Sequence, residues 1–242
     1  VSNLTEWPCA IACSIPSEFM RLPEAVIVTT IETHQRFFPV LDAAGKLQAA
    51  FIGVANIQSR DPNEIRKGYE RVVRPRLSDA AFFFDQDLKQ ALAEHLASLK
   101  TVTYQQKLGS VYDKTERVMA LARVIAPAVG VDPELAVRAA ELAKADLMTR
   151  MVGEFPELQG QMGRTYALAQ GLPSALADAL DEVYAPRQAG AAIAASPLGR
   201  VLALAERLDT LAGIFAVGLK PTGNKDPFAL RRAALGLART LI

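Results

Sequence analysis

Four times this chain sets an Asp or a Ser directly before a Pro: Asp61-Pro62, Asp132-Pro133, Ser196-Pro197 and Asp226-Pro227. Such a pair puts a side-chain acceptor at a helix N-cap and a residue without an N–H at the first helical position, where that N–H would have no partner. Each therefore marks a helix start. Asp61-Pro62-Asn63-Glu64 adds an acid at the third helical position, and Asp113 with Glu116 makes one more capping pair. In the helix that follows, Val118, Leu121, Ala122, Ile125 and Val129 fall on one apolar stripe. About eight helices and little strand are expected between Asp61 and Ile242.

Before residue 61 the pattern is different. AVIVTTI (Ala25 to Ile31), Phe37 to Leu41 and Ala50 to Ala55 are β-branched or aromatic runs and are expected as strands. Asp42-Ala43-Ala44-Gly45-Lys46 is a hairpin turn, with Gly where positive φ is needed. The predicted fold is α+β, mainly α. It divides into a strand-rich part (1–60), connecting helices (61–100) and a helical domain (101–242), with the boundary near Thr101 to Ser110.

Between the helix starts at Asp132 and Ser196 the stretch Glu141 to Gly171 breaks the helical period at Gly153-Glu154-Phe155-Pro156-Glu157. A helix, an elbow and a second helix, Arg164 to Gln170, are expected there. Gly160 and Gly163 allow close backbone approach. Asp146 shares a helical face with Leu142, Ala143, Leu147 and Arg150. An acid among apolar neighbours is paired, capped or functional, because an unpaired buried carboxylate is too costly. Glu154, Glu157, Gln159 and Gln161 are expected to gather with it around the elbow.

Net charge is +1 over 242 residues, so only local patches can argue for a nucleic-acid partner. Arg66, Lys67, Arg71, Arg74 and Arg76 form such a patch, with Glu70 and Tyr69 inside it. It suits phosphate contacts; the alternative is a solvated helix face and an Arg-Pro-Arg turn paired with Asp79, Asp85 and Asp87. The loop Lys220 to Pro227 runs two lysines into a helix start, an anion site in outline that lacks P-loop spacing. There Asp226 is expected to cap the helix, with Lys225 in the loop and Arg231 and Arg232 reaching outward.

Cys9 and Cys13 lack the further ligands of a zinc site and are read as reduced thiols. No signal-peptide pattern is read at the start of this stretch, and no membrane span is expected, since Val201 to Leu219, its most apolar run, contains Glu206, Arg207 and Asp209. The opening on Val1 and the close on Leu241-Ile242, still in a helix, lead to the expectation of an internal stretch of a longer chain.

LAKADLMTRMVGEFPELQGQMGRTYA, from Leu142, resembles the corresponding block of the β subunit of bacterial glycyl-tRNA synthetase, the α2β2 type. The resemblance continues at His34-Gln35-Arg36-Phe37-Phe38-Pro39-Val40, Glu70 to Leu77, Ala81 to Phe84, Lys107-Leu108-Gly109, Asp113 to Arg117 and Lys225 to Gly236. It implies ATP-dependent attachment of glycine to tRNA(Gly) in the cytoplasm, with tRNA binding on the β subunit and ATP, Mg2+ and adenylate chemistry on the α subunit. It also implies partnership with that α subunit, no membrane, and a β-rich start similar to the B3/B4 domain of phenylalanyl-tRNA synthetase. No activity or cofactor is expected for this stretch alone. His34 is then a tRNA-end contact, a catalytic base without an evident acid, Cys or Ser partner, or a satisfied structural histidine. The tRNA-contact candidates are Arg66, Lys67, Arg71, Arg74, Arg76, Lys225, Arg231 and Arg232.

The helical part also resembles the HD phosphohydrolase domain, whose metal sits on histidines and aspartates. Ala145-Asp146 looks like its His-Asp pair, Glu206 like its later Asp, and Lys114 stands at its first His position. Ala145, Lys114 and Glu206 are departures, Lys144 adds a positive charge, and the chain's histidines, His34 and His95, both precede the bundle. A kept bundle with lost metal chemistry is expected, with Asp146 paired to Lys144, Arg150 or Arg207. A working HD phosphohydrolase and a pure scaffold for the α subunit are the alternatives.

Overall fold

The computed structural model describes residues 5–188 and 190–242, and the chain forms two compact units, 1–87 and 88–242. In the first, strands β1 (Cys9–Ser14), β2 (Phe38–Leu41) and β3 (Leu47–Ala55) make an antiparallel sheet in the order β1-β3-β2. The expected hairpin is β2–β3. Gly45 takes φ +80° in its turn, and the Asp42 carboxylate accepts from the amides of Ala44 and Lys46. Cys13 pairs with Phe51 in register, and Ile11, Cys13, Leu47 and Phe51 lie on the covered face.

Two expectations for this unit fail. The first is the strand at AVIVTTI, which is helical: α1 (Glu24–Thr29) runs on into a π-turn over Thr30–His34. Val26, Ile27, Thr30 and Ile31 are all buried, and the Thr30 hydroxyl donates to the Val26 carbonyl at 2.8 Å. Burial of adjacent residues at helical spacing decides, since β preference is a preference for a half-buried pleated surface. The strand actually present, CAIACS, has only one β-branched residue, Ile11, to announce it.

The second is the Arg-Pro-Arg turn at Pro75, which belongs to the alternative reading of the basic patch. Helix α2 (Pro62–Asp87) is 26 residues long and continues through that proline. Proline costs a helix one hydrogen bond and a steric clash. Val73, Leu77, Ala80 and Ala81 are buried on either side of it, and that seam holds the helix through the lesion. Along β1, Arg66 Nε donates to the Ala12 carbonyl (2.9 Å) and Glu70 Oε1 accepts from the Ser14 amide (2.8 Å), both on the strand's outer edge. Gly53 of β3 is required by contact, because a Cβ there would stand 2.4 Å from the Tyr69 ring.

The second unit holds a short hairpin, β4 (Thr103–Gln105) with β5 (Gly109–Ser110), and the helices α3 (Val111–Ile125), α4 (Pro133–Leu142), α5 (Arg150–Glu154), α6 (Gln161–Ala169), α7 (Ser174–Glu182), α8 (Pro197–Ala216) and α9 (Leu230–Leu241). Helix α8 is central and packs against α3, α4, α7 and α9. Leu198 and the run Val201 to Ala205 are buried almost all round, as a core helix must be. Asp132 and Ser196 cap α4 and α8 as expected. The cap of α3 lies one turn earlier than expected: Ser110 Oγ accepts from the Asp113 amide and Asp113 Oδ2 from the Ser110 amide. Helix α9 begins at Leu230, four residues after Asp226, whose carboxylate still reaches the amides of Leu230 (2.8 Å) and Arg231 (3.0 Å).

Candidate functional site

Helix α3 presents Lys114 and Arg117, three residues apart, to Glu206, Asp209 and Thr210 of α8. Lys114 is 4% exposed. Its ammonium donates to Asp209 Oδ2 (2.9 Å) and Thr210 Oγ1 (2.8 Å), lies 3.4 Å from Glu206 Oε1, and sits over the Tyr104 ring at 4.6 Å. Arg117 Nε donates to Asp209 Oδ1 at 2.5 Å. On the far side Lys144 Nζ is 3.6 Å from Glu206 Oε1 and 3.8 Å from the Tyr184 ring centroid. Burial pushes the Glu206 carboxyl up, but Lys144 and Lys114 outweigh it and hold it below the usual carboxylate range. Burial likewise acts on Asp209, and Arg117 and Lys114 bring it below.

These residues do not fit a divalent metal. An ammonium already occupies the space between the two carboxylates, and cations on both sides oppose another positive charge. Among the described residues no group of three His, Cys, Asp or Glu converges in metal-binding fashion. His34 ends the π-turn in the first unit, and His95 lies in a 3-10 run (Leu92–Thr101) with its Nε2 buried and unpartnered.

Asp146 is buried, as expected, but not on a continuous helix. Helix α4 stops at Leu142 and Asp146 lies in a separate 3-10 turn, Ala145–Met148. Its hydrogen-bonding partners are also different from Lys144, Arg150 or Arg207: Oδ2 accepts from the amides of Gly160 (2.5 Å) and Gly163 (3.0 Å). Gly163 eases this approach, since a Cβ there would stand 3.2 Å from that oxygen and crowd it. Oδ1 has no hydrogen-bond partner among the described residues. Burial pushes the carboxyl above its ordinary range against the pull of the two amides. Of the polar residues expected beside it, Glu154 and Glu157 are exposed and Gln159 and Gln161 half-buried. The arrangement holds the elbow together.

The basic stretch of α2 is largely exposed, but the continuous helix divides it. At 3.6 residues per turn Lys67, Arg71 and Arg74 share one flank, whereas Arg76 falls on the other and Arg66 turns towards β1. Lys67 pairs with Glu64 (2.8 Å) and Arg74 with Glu18 (3.4 Å), not with the acids that follow, and Asp85 is held by Arg21 (2.7 Å). Arg71 and Arg76 have no ion-pair partner among the described residues. In the second unit the N-terminus of α9 is occupied by the Asp226 carboxylate, Arg231 donates to the Gly223 carbonyl and Arg232 to that of Arg187, and Lys225 is exposed in the loop. Cys9 and Cys13 are free thiols.

Sequence reasoning missed Arg117, Asp209, Tyr184 and Arg187. Two of them carried a signal: Arg117 follows Lys114 by three, and Asp209 follows Glu206 by three, so each pair shares a helix face. Tyr184 and Arg187 sit after α7 in a loop whose path no periodicity announces.

The sequence model described as glycyl-tRNA synthetase beta subunit matches residues 1–242. The chain is similar to proteins named glycine–tRNA ligase beta subunit from Xanthomonas campestris pv. campestris (64% identical over 242 residues), Xylella fastidiosa (59%) and Pseudomonas fluorescens (52%). In each case all of this chain is covered, but only 34–35% of the relative: the chain spans about a third of their length.

Proposed function

The chain belongs to the glycyl-tRNA synthetase β-subunit family, and from that premise we propose that it is a tRNA-supporting part of a cytoplasmic glycine–tRNA ligase. In this reading the α subunit partners it and carries out adenylate formation with ATP and Mg2+, while this chain holds tRNA(Gly) through phosphates. The observation that carries the reading is the exposed flank of Lys67, Arg71 and Arg74 on α2. Its acids, Glu64 and Glu18, are themselves exposed, so their ion pairs are weak and exchange readily for phosphate. A flank of this kind positions the backbone and is indifferent to base sequence. The lysine–carboxylate cluster speaks against a hydrolase: its acids are already committed to cations.

The test is charge reversal of Lys67, Arg71 and Arg74 in the whole α2β2 enzyme. tRNA binding should weaken about equally for every sequence variant of the tRNA. The slope of log affinity against log salt should flatten by about 0.7–0.9 for each phosphate that the variant no longer neutralises. Glycine activation without tRNA should be unchanged. A lowered melting temperature with an unaltered salt slope would show that these cations serve only the fold.

A further inference from the structure

Beside the lysine–carboxylate cluster lies a cleft of about 400 Å³, whose walls carry Lys144, Arg187, Arg207 and Arg232 against the single carboxylate of Glu206. We propose that this cleft binds a mononucleotide, its phosphate on the arginines and its base against Phe228, which also lines it. The four cations come from four places in the chain: the turn after α4, the loop after α7, and helices α8 and α9. Bringing like charges together from separate elements creates a local positive field that an anion relieves.

All four cations are oriented by rings or main-chain carbonyls, and two of them, Arg207 and Arg232, are left without a carboxylate among the described residues. The Tyr184 ring has Lys144 Nζ 3.8 Å and Arg187 Cζ 4.9 Å from its centroid. Arg207 donates to the carbonyls of Ala203 (2.9 Å) and Ala185, and Arg232 to that of Arg187 (3.3 Å). Lys144 and Arg187 also meet Glu206 and Asp181, whereas Arg207 and Arg232 have no ion-pair partner among the described residues. Two guanidiniums without a carboxylate are the donor set that phosphate oxygens favour. Gly236 of α9 keeps one of them in place: a Cβ there would stand 2.5 Å from Arg207 Nε. The volume lies at the small end of ligand sites, room for one nucleotide and not for a duplex.

The site is independent of the α2 flank, so its failure would leave the tRNA reading standing. Calorimetric titration of the full-length β subunit, prepared without the α subunit, tests it with AMP, adenosine, inorganic phosphate and a short single-stranded RNA. One AMP should bind per chain, with adenosine and phosphate each weaker by about tenfold or more. Arg232→Glu, an exposed position, should weaken AMP by about tenfold or more, and Arg239→Glu, on the same helix but outside the cleft, should leave it unchanged. Should Arg232→Glu fail to fold, Gly236→Ala displaces Arg207 without removing a charge and should also weaken AMP. No AMP binding, AMP bound no better than phosphate, binding of the RNA alone, or AMP affinity untouched in the folded variant would each overturn the proposal.

Discussion

Asp146 shows how one buried side chain can tie distant main-chain segments together. Its Oδ2 ties the amides of Gly160 and Gly163 to the turn after α4, and its other oxygen is buried without a partner among the described residues. Burial raises its folded pKa, so proton binding favours the folded state; that stability is fully present below the ordinary value of 3.8 and is lost as pH rises through the folded value. Asp146→Ala should leave two buried amides without an acceptor and cost about 1–3 kcal/mol for each. Asp146→Asn keeps an acceptor and carries no charge, so it should be far milder. Its stability relative to the native protein should improve as pH rises from the acid range to neutrality, read from denaturation midpoints. An Ala variant as stable as the native protein would show that the two amides have other acceptors. The burial of this acid was legible in its apolar neighbours. Its partners were not, because main-chain amides have no letter in a sequence and the two glycines announce only that something comes close.

At the level of elements, α3 and α8 are joined through Lys114, Arg117, Glu206 and Asp209. Removing one partner of a buried pair leaves the other charge uncompensated, so Lys114→Met should cost about 3–5 kcal/mol in chemical denaturation. Both acids have depressed folded pKa values, so their contribution is present above the ordinary carboxylate range and disappears as pH falls through the folded values. Acid unfolding of the native protein should therefore begin at a lower pH than that of Arg117→Met; coincident acid limbs would contradict this. Helix starts were well read where an acceptor precedes Pro, as at Asp132 and Ser196. The failures have a common cause. AVIVTTI is helical, α2 runs through Pro75, and in each the neighbouring residues are buried deeply enough for packing to override local preference.

For the molecule as a whole, the charge balance of +1 conceals a division of labour between exposed and buried cations. Those on α2 face solvent, whereas Lys114 and Lys144 are withdrawn onto carboxylates. Elemental analysis of the full-length β subunit, purified without chelators, should find no stoichiometric transition metal. One metal per chain, absent from Asp146→Asn, would reverse that conclusion. No helix among the described residues is long and apolar enough to cross a membrane. The family was legible from long blocks that run in order along the chain; the mononucleotide-sized cleft was not, since its cations stand far apart in sequence and meet only when α7, α8 and α9 are folded.

The sheet of the first unit has two rims of unequal character. On the β1 side the outward carbonyl of Ala12 and amide of Ser14 are already taken by Arg66 and Glu70, one turn apart on α2. A foreign strand arriving there would have to evict both a guanidinium and a carboxylate before making its first main-chain bond. The β2 side offers four residues, a proline and a break in register between Pro39 and Leu41. One rim is latched and the other is short and irregular, and between them they make this sheet a poor template for growth by stacking chain upon chain.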